Sequence, residues 1–252
     1  MLQRWSEQIA FDFDLSDALC VLGVGSTEQH SDYLPLGTDS LIGEKLTEAA
    51  AEKADCRVVL LPPQQIGYSP HHRAFPGYIT LTHDTMQRYL FEICACAFAN
   101  GAKQLLIVNS HGGNRTCLQA VVNELSSNLG ARVAMVNYWD LIAQEIAGIR
   151  ETAPGGIGHA GELETSLLLY LCPQLVNHAR INERPPAVGS EWHHPDMFAA
   201  NKVYIFKPFN EYSPMGNIGQ PSFASREKGE KIFNLVVAKL SRLMEYQMKH
   251  GF

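Results

Sequence analysis

Three histidine-bearing stretches carry side chains suited to hold a divalent cation and to move a proton. In GVGSTEQHSDYLPLGTD, residues 23–39, Glu28 and His30 stand two apart, so in extended chain both project to one side. The Pro35-x-Gly37 turn then returns Asp39 towards them. A carboxylate, an imidazole and a second carboxylate make a mixed oxygen and nitrogen set suited to Zn, Mn or Fe, and an Asp with two oxygens can bridge two ions. The competing reading is a loop that caps the helix opening at Ser40, with Asp39 at its positive end. A dinucleotide loop does not fit, because Glu28 stands where the G-x-G-x-x-G pattern needs its third glycine.

The second stretch, NSHGGN at 109–114, follows an apolar run directly and so puts His111 at the carboxyl edge of a sheet, where open α/β folds bind ligands. Gly112 and Gly113 permit close backbone approach, and Asn114 can cap the next helix. In the third, GGIGHAGELETS at 155–166, His159 and Glu162 are spaced by about one helical turn and aim at one place. One of Glu162 and Glu164 is expected to be only a first-turn acid favoured by the helix dipole. A further loop, GYSPHHRAFPGYITL at 67–81, offers Ser69, His71 and His72, with one of the two histidines expected at the surface. His83, His178, His193, His194 and His250 read as structural or solvated, although His193 and His194 can also face a neighbouring subunit's site.

The elements that must position these residues are visible in the apolar pattern. LCVLGV (19–24), RVVLLP (57–62), KQLLIVN (103–109) and ARVAMVN (131–137) have the length and continuous hydrophobicity of strands buried on both faces. Helices are expected over 40–54, 82–100, 114–129, about 162–171 and about 225–249. The alternation predicts a three-layer α/β/α sandwich with a mainly parallel central sheet, as one domain over 1–252. Within it, 178–223 is broken by Pro and Gly yet rich in aromatics, and is expected to pack as a lid or an oligomer contact.

Composition narrows the function. At 46% hydrophobic and 18% charged the chain has a globular balance, and a formal charge of -6 disfavours nucleic acid as a partner. No run of 18 apolar residues suggests a membrane span, and the acidic N-terminal residues argue against a signal peptide, so a cytoplasmic location is expected. The six cysteines form no CxxC pair and read as free thiols.

GSTEQHSDYLPLGTD, SHGGN, HAGELETS and the late GNIGQPSFASREKGEKI occur in the order seen in the creatininase (creatinine amidohydrolase) family, which the chain resembles from about residue 20 to 231. The resemblance implies a three-layer α/β fold, commonly a homohexamer, with one or two divalent ions (Zn, Mn or Fe). It implies Glu28, His30, Asp39 and His111 as metal ligands, Asp39 bridging if two ions bind, His159 as the proton-handling histidine and Ser69 as a substrate contact. His72 and Gly112 join Ser69 as expected substrate-binding residues. Where the namesake enzyme has a glutamate this chain has Gly113, so a second-metal carboxylate must come from elsewhere, with Glu162 the candidate. Gly155 and Gly158 replace a tryptophan and an acidic residue, and Ser31 and Tyr33 stand where many members carry Gly and His. The expected function is metal-dependent hydrolysis of a non-peptide C–N bond (amide, cyclic amide or formamide) in a small molecule. A metal-activated water would attack, with His159 and Glu162 as catalytic groups. The alternatives are a lyase, isomerase or ring-opening hydrolase on a carbonyl sugar, and a non-catalytic binding or assembly protein on a degenerate hydrolase scaffold.

Overall fold

Five short runs rich in aliphatic residues pair side by side, all parallel, in the order β1-β3-β2-β4-β5. They are β1 (Leu2–Arg4), β2 (Leu19–Val24), β3 (Val58–Leu60), β4 (Gln104–Asn109) and β5 (Arg132–Asn137). The structure, a computed structural model, describes residues 1–251. The pleat explains why β2 and β4 read as unbroken apolar runs. Cys20, Leu22, Leu105 and Ile107 project into one core, and Leu19, Val21, Leu106 and Val108 into the opposite one.

Helices α2 (His83–Ala99) and α3 (Arg115–Leu129) cover the first face with Met86, Leu90, Leu118 and Val121. Helices α1 (Thr38–Lys53) and α5 (Arg226–His250) cover the second with Ala50, Ala51, Leu240 and Met244. A third core joins α1, α4 (Glu162–Leu171) and α5 through Ile42, Leu46, Leu163, Leu167, Ile232 and Val236. The result is the three-layer α/β/α sandwich expected, and the sheet is wholly parallel.

Two local differences from the sequence reading matter. The edge strand β1 pairs from Leu2↔Val58 to Arg4↔Leu60; three residues are too few to show any alternation in sequence. Asn114 does not cap α3. Its side-chain amide instead donates to Gly25 O (2.9 Å) and its carbonyl accepts from Tyr68 N (3.0 Å), lacing together the loops that follow β2 and β3.

The chain passes from β2 to β3 on one side and then crosses to β4 on the other, so the order reverses at the border between β2 and β4. Their last residues, Val24 and Asn109, are register partners. A crevice forms where the loops leaving such strands part company. Residues 178–223 contain only short 3-10 turns, among them Phe209–Glu211.

Candidate metal centre

The loops after β2, β3 and β4 and the start of α4 converge beyond the sheet's carboxyl edge. Asn109 shapes the turn after β4: its amide donates to His111 O (2.8 Å) while its carbonyl accepts from His111 N (3.1 Å), and Asn137 on β5 steadies it (2.7 Å). Asp39 lies in the first turn of α1, and Glu28 N donates to Leu36 O (2.9 Å), closing the loop that brings the two carboxylates together. Ser26 Oγ (3.1 Å) and Ser69 Oγ (2.5 Å) both donate to Glu28 Oε2. Tight local backbone accompanies this. Ser31 and Ala160 adopt φ of 61° and 50°, in the left-handed region that favours glycine. Ala160 N donates to Glu164 Oε2 (2.6 Å) and Ala160 O accepts from the Tyr33 hydroxyl (2.5 Å).

Three imidazoles share one arrangement. In each, one ring nitrogen donates to a backbone carbonyl: His30 Nδ1 to Glu28 O (3.1 Å), His111 Nε2 to Tyr68 O (3.1 Å) and His159 Nε2 to Gln29 O (2.6 Å). The other nitrogen faces a carboxylate. His30 Nε2 lies 3.2 Å from Asp39 Oδ1 and 4.0 Å from Glu164 Oε2, His111 Nδ1 lies 3.0 Å from Asp39 Oδ2, and His159 Nδ1 lies 3.5 Å from Glu28 Oε1. Asp39 therefore offers one oxygen to each of two imidazoles. A ligating histidine held through its far nitrogen by a carbonyl is the usual support of a metal site.

Electrostatics bind the cluster tightly. Burial alone favours neutral His30 and His111, but the charges of Asp39 and Glu28 outweigh it and push the imidazoles up to about 10 and about 9. Burial likewise opposes the charge on Glu28, yet His111, His72 and His159 around it hold its carboxyl well below the usual range. Glu164 goes the other way: burial and the charge of Asp39 raise it to about 7 against the pull of His30. His159 is held well below the ordinary imidazole value by burial and by the neighbouring His30 and His72, so it stays neutral.

Not every expected residue joins the cluster. Glu162, the candidate second-metal carboxylate, points away. It accepts from Lys228 Nζ (2.7 Å), Thr152 Oγ1 (2.5 Å) and the backbone N–H groups of Glu151 (2.9 Å) and Thr152 (3.1 Å). Its carboxylate is satisfied there, and Glu164 stands in the site instead. Ser69 is fully buried behind Glu28, where its hydroxyl donates to Oε2, and it is not among the residues that line the cavity above the cluster. His72 is also turned inward, with Nε2 3.0 Å from Glu28 Oε1, while His71 takes the cavity wall. Gly112 does line that cavity, as do His193 and His194 from the irregular segment.

The cavity above the cluster has a volume of about 600 Å³ and is walled on its outer side by Tyr204, Phe206, Phe209 and Tyr212. Phe209 sits against the cluster itself, 4.5 Å from the rings of His71 and His72 and 5.0 Å from His159. Sequence reasoning did not single out Gln29 or Phe209, and it chose Glu162 over Glu164 as the site carboxylate. Only the aromatic density of 178–223 signalled Phe209.

The residues present fit divalent cations. Glu28 Oε1 and Asp39 Oδ2 are buried acceptors that no hydrogen-bond donor satisfies, a costly condition that a cation relieves. The ligand atoms of Glu28, His30 and Asp39 all lie within 4.8 Å of one another, as do those of His30, His159 and Glu164. The creatininase profile, described as creatinine amidohydrolase, matches residues 4–244. The chain belongs to the creatininase family. Creatinine amidohydrolase of Pseudomonas putida is 28% identical over 237 residues, 88% of this chain and 86% of that one. The mycofactocin precursor peptide peptidase of Mycobacterium ulcerans (strain Agy99) is 30% identical over 220 residues, 84% of this chain and 79% of its own. A mutant creatininase of Zn-Zn type superposes with a TM-score of 0.82 at 25% identity, covering 97% of this chain and 98% of that one.

At position 113 this chain leaves no room for a side chain unless its neighbours shift. A Cβ on Gly113 would stand 2.2 Å from Tyr68 O and 2.4 Å from His111 Nε2. Positions 155 and 158 are closed in the same way, by Ala187 O at 2.3 Å and Ile218 O at 2.5 Å.

Proposed function

We propose that this creatininase-family chain is a hydrolase that uses two divalent ions to cleave an amide-type C–N bond, of the amide, cyclic amide or formamide class. The observation that carries the reading is Asp39, whose two oxygens face His30 and His111 separately (3.2 and 3.0 Å) in a cluster completed by Glu28 and Glu164. Glu28, Asp39 and His111 would hold one ion, and His30, Asp39 and Glu164 the other. A divalent ion bound there supplies Lewis-acid polarisation of the scissile carbonyl and lowers the pKa of water towards neutrality.

The chain's own residues supply the proton transfers. His159 keeps Nε2–H on Gln29 O and so presents a bare Nδ1 to the cluster. Nδ1 takes a proton from water as its oxygen bonds to the carbonyl carbon, and returns that proton to the nitrogen as the C–N bond breaks. Because burial keeps its pKa low, the imidazole is neutral at the start and gives the proton up readily. A placed acid and base of this kind contributes roughly 10²–10⁴-fold. Phe209 and Tyr212 shield the cluster from solvent and offer apolar surface to a planar amide.

A cavity of about 600 Å³ falls within the range of roughly 300–1,000 Å³ typical of drug-sized ligands. That size favours a second reading, a short peptide as substrate. The irregular segment also leaves Val188 and Tyr204 85% and 84% exposed beside Trp192 and Phe206, which supports self-association of the chain. The deciding experiment is a screen of cyclic amides, formamides and short peptides in ¹⁸O-labelled water with mass-spectrometric readout, before and after chelation and zinc or manganese reconstitution. Solvent oxygen in the product, lost on chelation and restored by metal, is expected. Turnover without solvent oxygen, or turnover unchanged by the chelator, overturns the reading.

A further inference from the structure

Four imidazoles crowd Glu28 and Asp39, and one of them is held differently. Gln29 lies between two of the proposed ligands, and its side-chain amide has a fixed orientation. Its Oε1 accepts from Ser31 N (2.7 Å), which can only donate, and its Nε2 donates to Gly216 O (3.2 Å), which can only accept. The remaining Nε2 hydrogen therefore goes to His72 Nδ1 (2.9 Å). An imidazole nitrogen that accepts has no hydrogen, so the proton of neutral His72 sits on Nε2, 3.0 Å from Glu28 Oε1.

His30, His111 and His159 are tied by carbonyls and turn to the cluster a second nitrogen that a cation can claim. His72 is tied by a donor and turns an N–H to it. A neutral imidazole that ligates through Nε2 must carry its hydrogen on Nδ1, which Gln29 cannot accept. His72 thus stands close enough to belong to a ligand group with Glu28 and His159 and is barred from it by its tautomer.

We propose that Gln29 is a positioning residue that fixes the His72 hydrogen on Nε2, so that an N–H faces the Glu28 carboxylate and His72 does not ligate metal. This rests on the metal-site reading above but not on any hydrolytic activity. Ser26 and Ser69 hold Glu28 Oε2, while His72 Nε2 stands 3.0 Å from Oε1 without a hydrogen bond to it. Gln29 also ties the 213–218 turn to the site through Gly216, whose φ of 72° brings the backbone so close that a Cβ there would lie 2.2 Å from Gln29 Nε2.

The test reads ring nitrogens directly. In the zinc-loaded full chain labelled with ¹⁵N-histidine, long-range ¹H–¹⁵N correlation should show His72, assigned by its loss in His72→Gln, with a bare Nδ1 and a protonated Nε2. In Gln29→Glu the group facing Nδ1 can only accept, and the tautomer should swap. In Gln29→Met, which neither donates nor accepts comparably, both tautomers should appear, with zinc affinity reduced about 10- to 100-fold, as for other partners that orient ligands. A zinc-shifted Nε2 with a protonated Nδ1 in the native chain overturns the proposal, and that measurement stands even if neither variant folds. An unchanged His72 pattern in folded Gln29→Glu overturns it too. Correct tautomers in a protein that hydrolyses nothing would instead sink the hydrolase reading alone.

Discussion

Glu162 and Glu164 stand two positions apart in the first turn of α4 and serve opposite sides of it. Glu164 Oε2 lies 4.0 Å from His30 Nε2 in the candidate metal centre, while Glu162 Oε1 accepts from Lys228 Nζ at 2.7 Å. At about 100° per residue, side chains two apart diverge by some 200°, so one acid faces the site and the other is committed to α5.

Glu164→Ala should therefore weaken binding of the ion near His30 by at least about 10- to 100-fold, the range seen for partners that merely orient ligands. Zinc content by atomic emission after dialysis checks this. Glu162→Gln should keep its metal and lose about 1–3 kcal/mol of stability, because Lys228 loses the buried one of its two carboxylate partners, the other being the exposed Glu151 (3.0 Å). Equal metal content in Glu164→Ala and the native chain would sink the assignment.

The same pair gives a pH dependence. Burial works to raise the pKa of Glu162, but Lys228 and Thr152 outweigh it and hold the carboxyl below its ordinary 4.5. A depressed folded value means that the stabilisation is complete above pH 4.5 and is lost as pH falls through the lower folded pKa. Urea unfolding of the native chain and Glu162→Gln should show a constant gap near neutrality that narrows below that point. A gap unchanged at pH ~3, well below the unfolded pKa, would contradict it.

Cations and protons compete for the same nitrogens. With His30 pushed up to about 10 and His111 to about 9, zinc must displace protons to bind, so its apparent affinity should rise with pH up to that range. Calorimetric titration of chelator-treated protein in buffers of different ionisation enthalpy should show proton release near pH 7. No buffer dependence would argue that the two imidazoles are not ligands.

Gly113→Ala probes the crowding around His111. Its Cβ would stand 2.2 Å from Tyr68 O, the acceptor that holds His111, and such overpacking costs about 1–3 kcal/mol. Thermal unfolding should show that loss, together with weaker zinc binding, whereas Gly112→Ala, whose Cβ would meet nothing within 4 Å, should show neither.

Much of this architecture was legible because burial on both faces leaves a direct trace: β2 and β4 stand out as uninterrupted apolar runs. The motifs that follow them located Glu28, His30, Asp39, His111 and His159 near one another, since loops leaving neighbouring parallel strands share an edge. What sequence could not decide was direction. Glu162 against Glu164, and His72 against His71, are choices between adjacent side chains set by partners far along the chain, Lys228 in one case and Gln29 in the other. Nothing local shows, either, that the Ser69 hydroxyl turns back onto Glu28.

The carbonyls that hold His30, His111 and His159 belong to the backbone of Glu28, Tyr68 and Gln29. No point substitution deletes a backbone acceptor, so the proton positions at the heart of the site are insulated from most mutation. The aromatic wall over it is made of side chains alone and enjoys no such protection. Mutation can redraw what enters the cavity many times over while the three imidazoles keep the same nitrogens turned to the carboxylates.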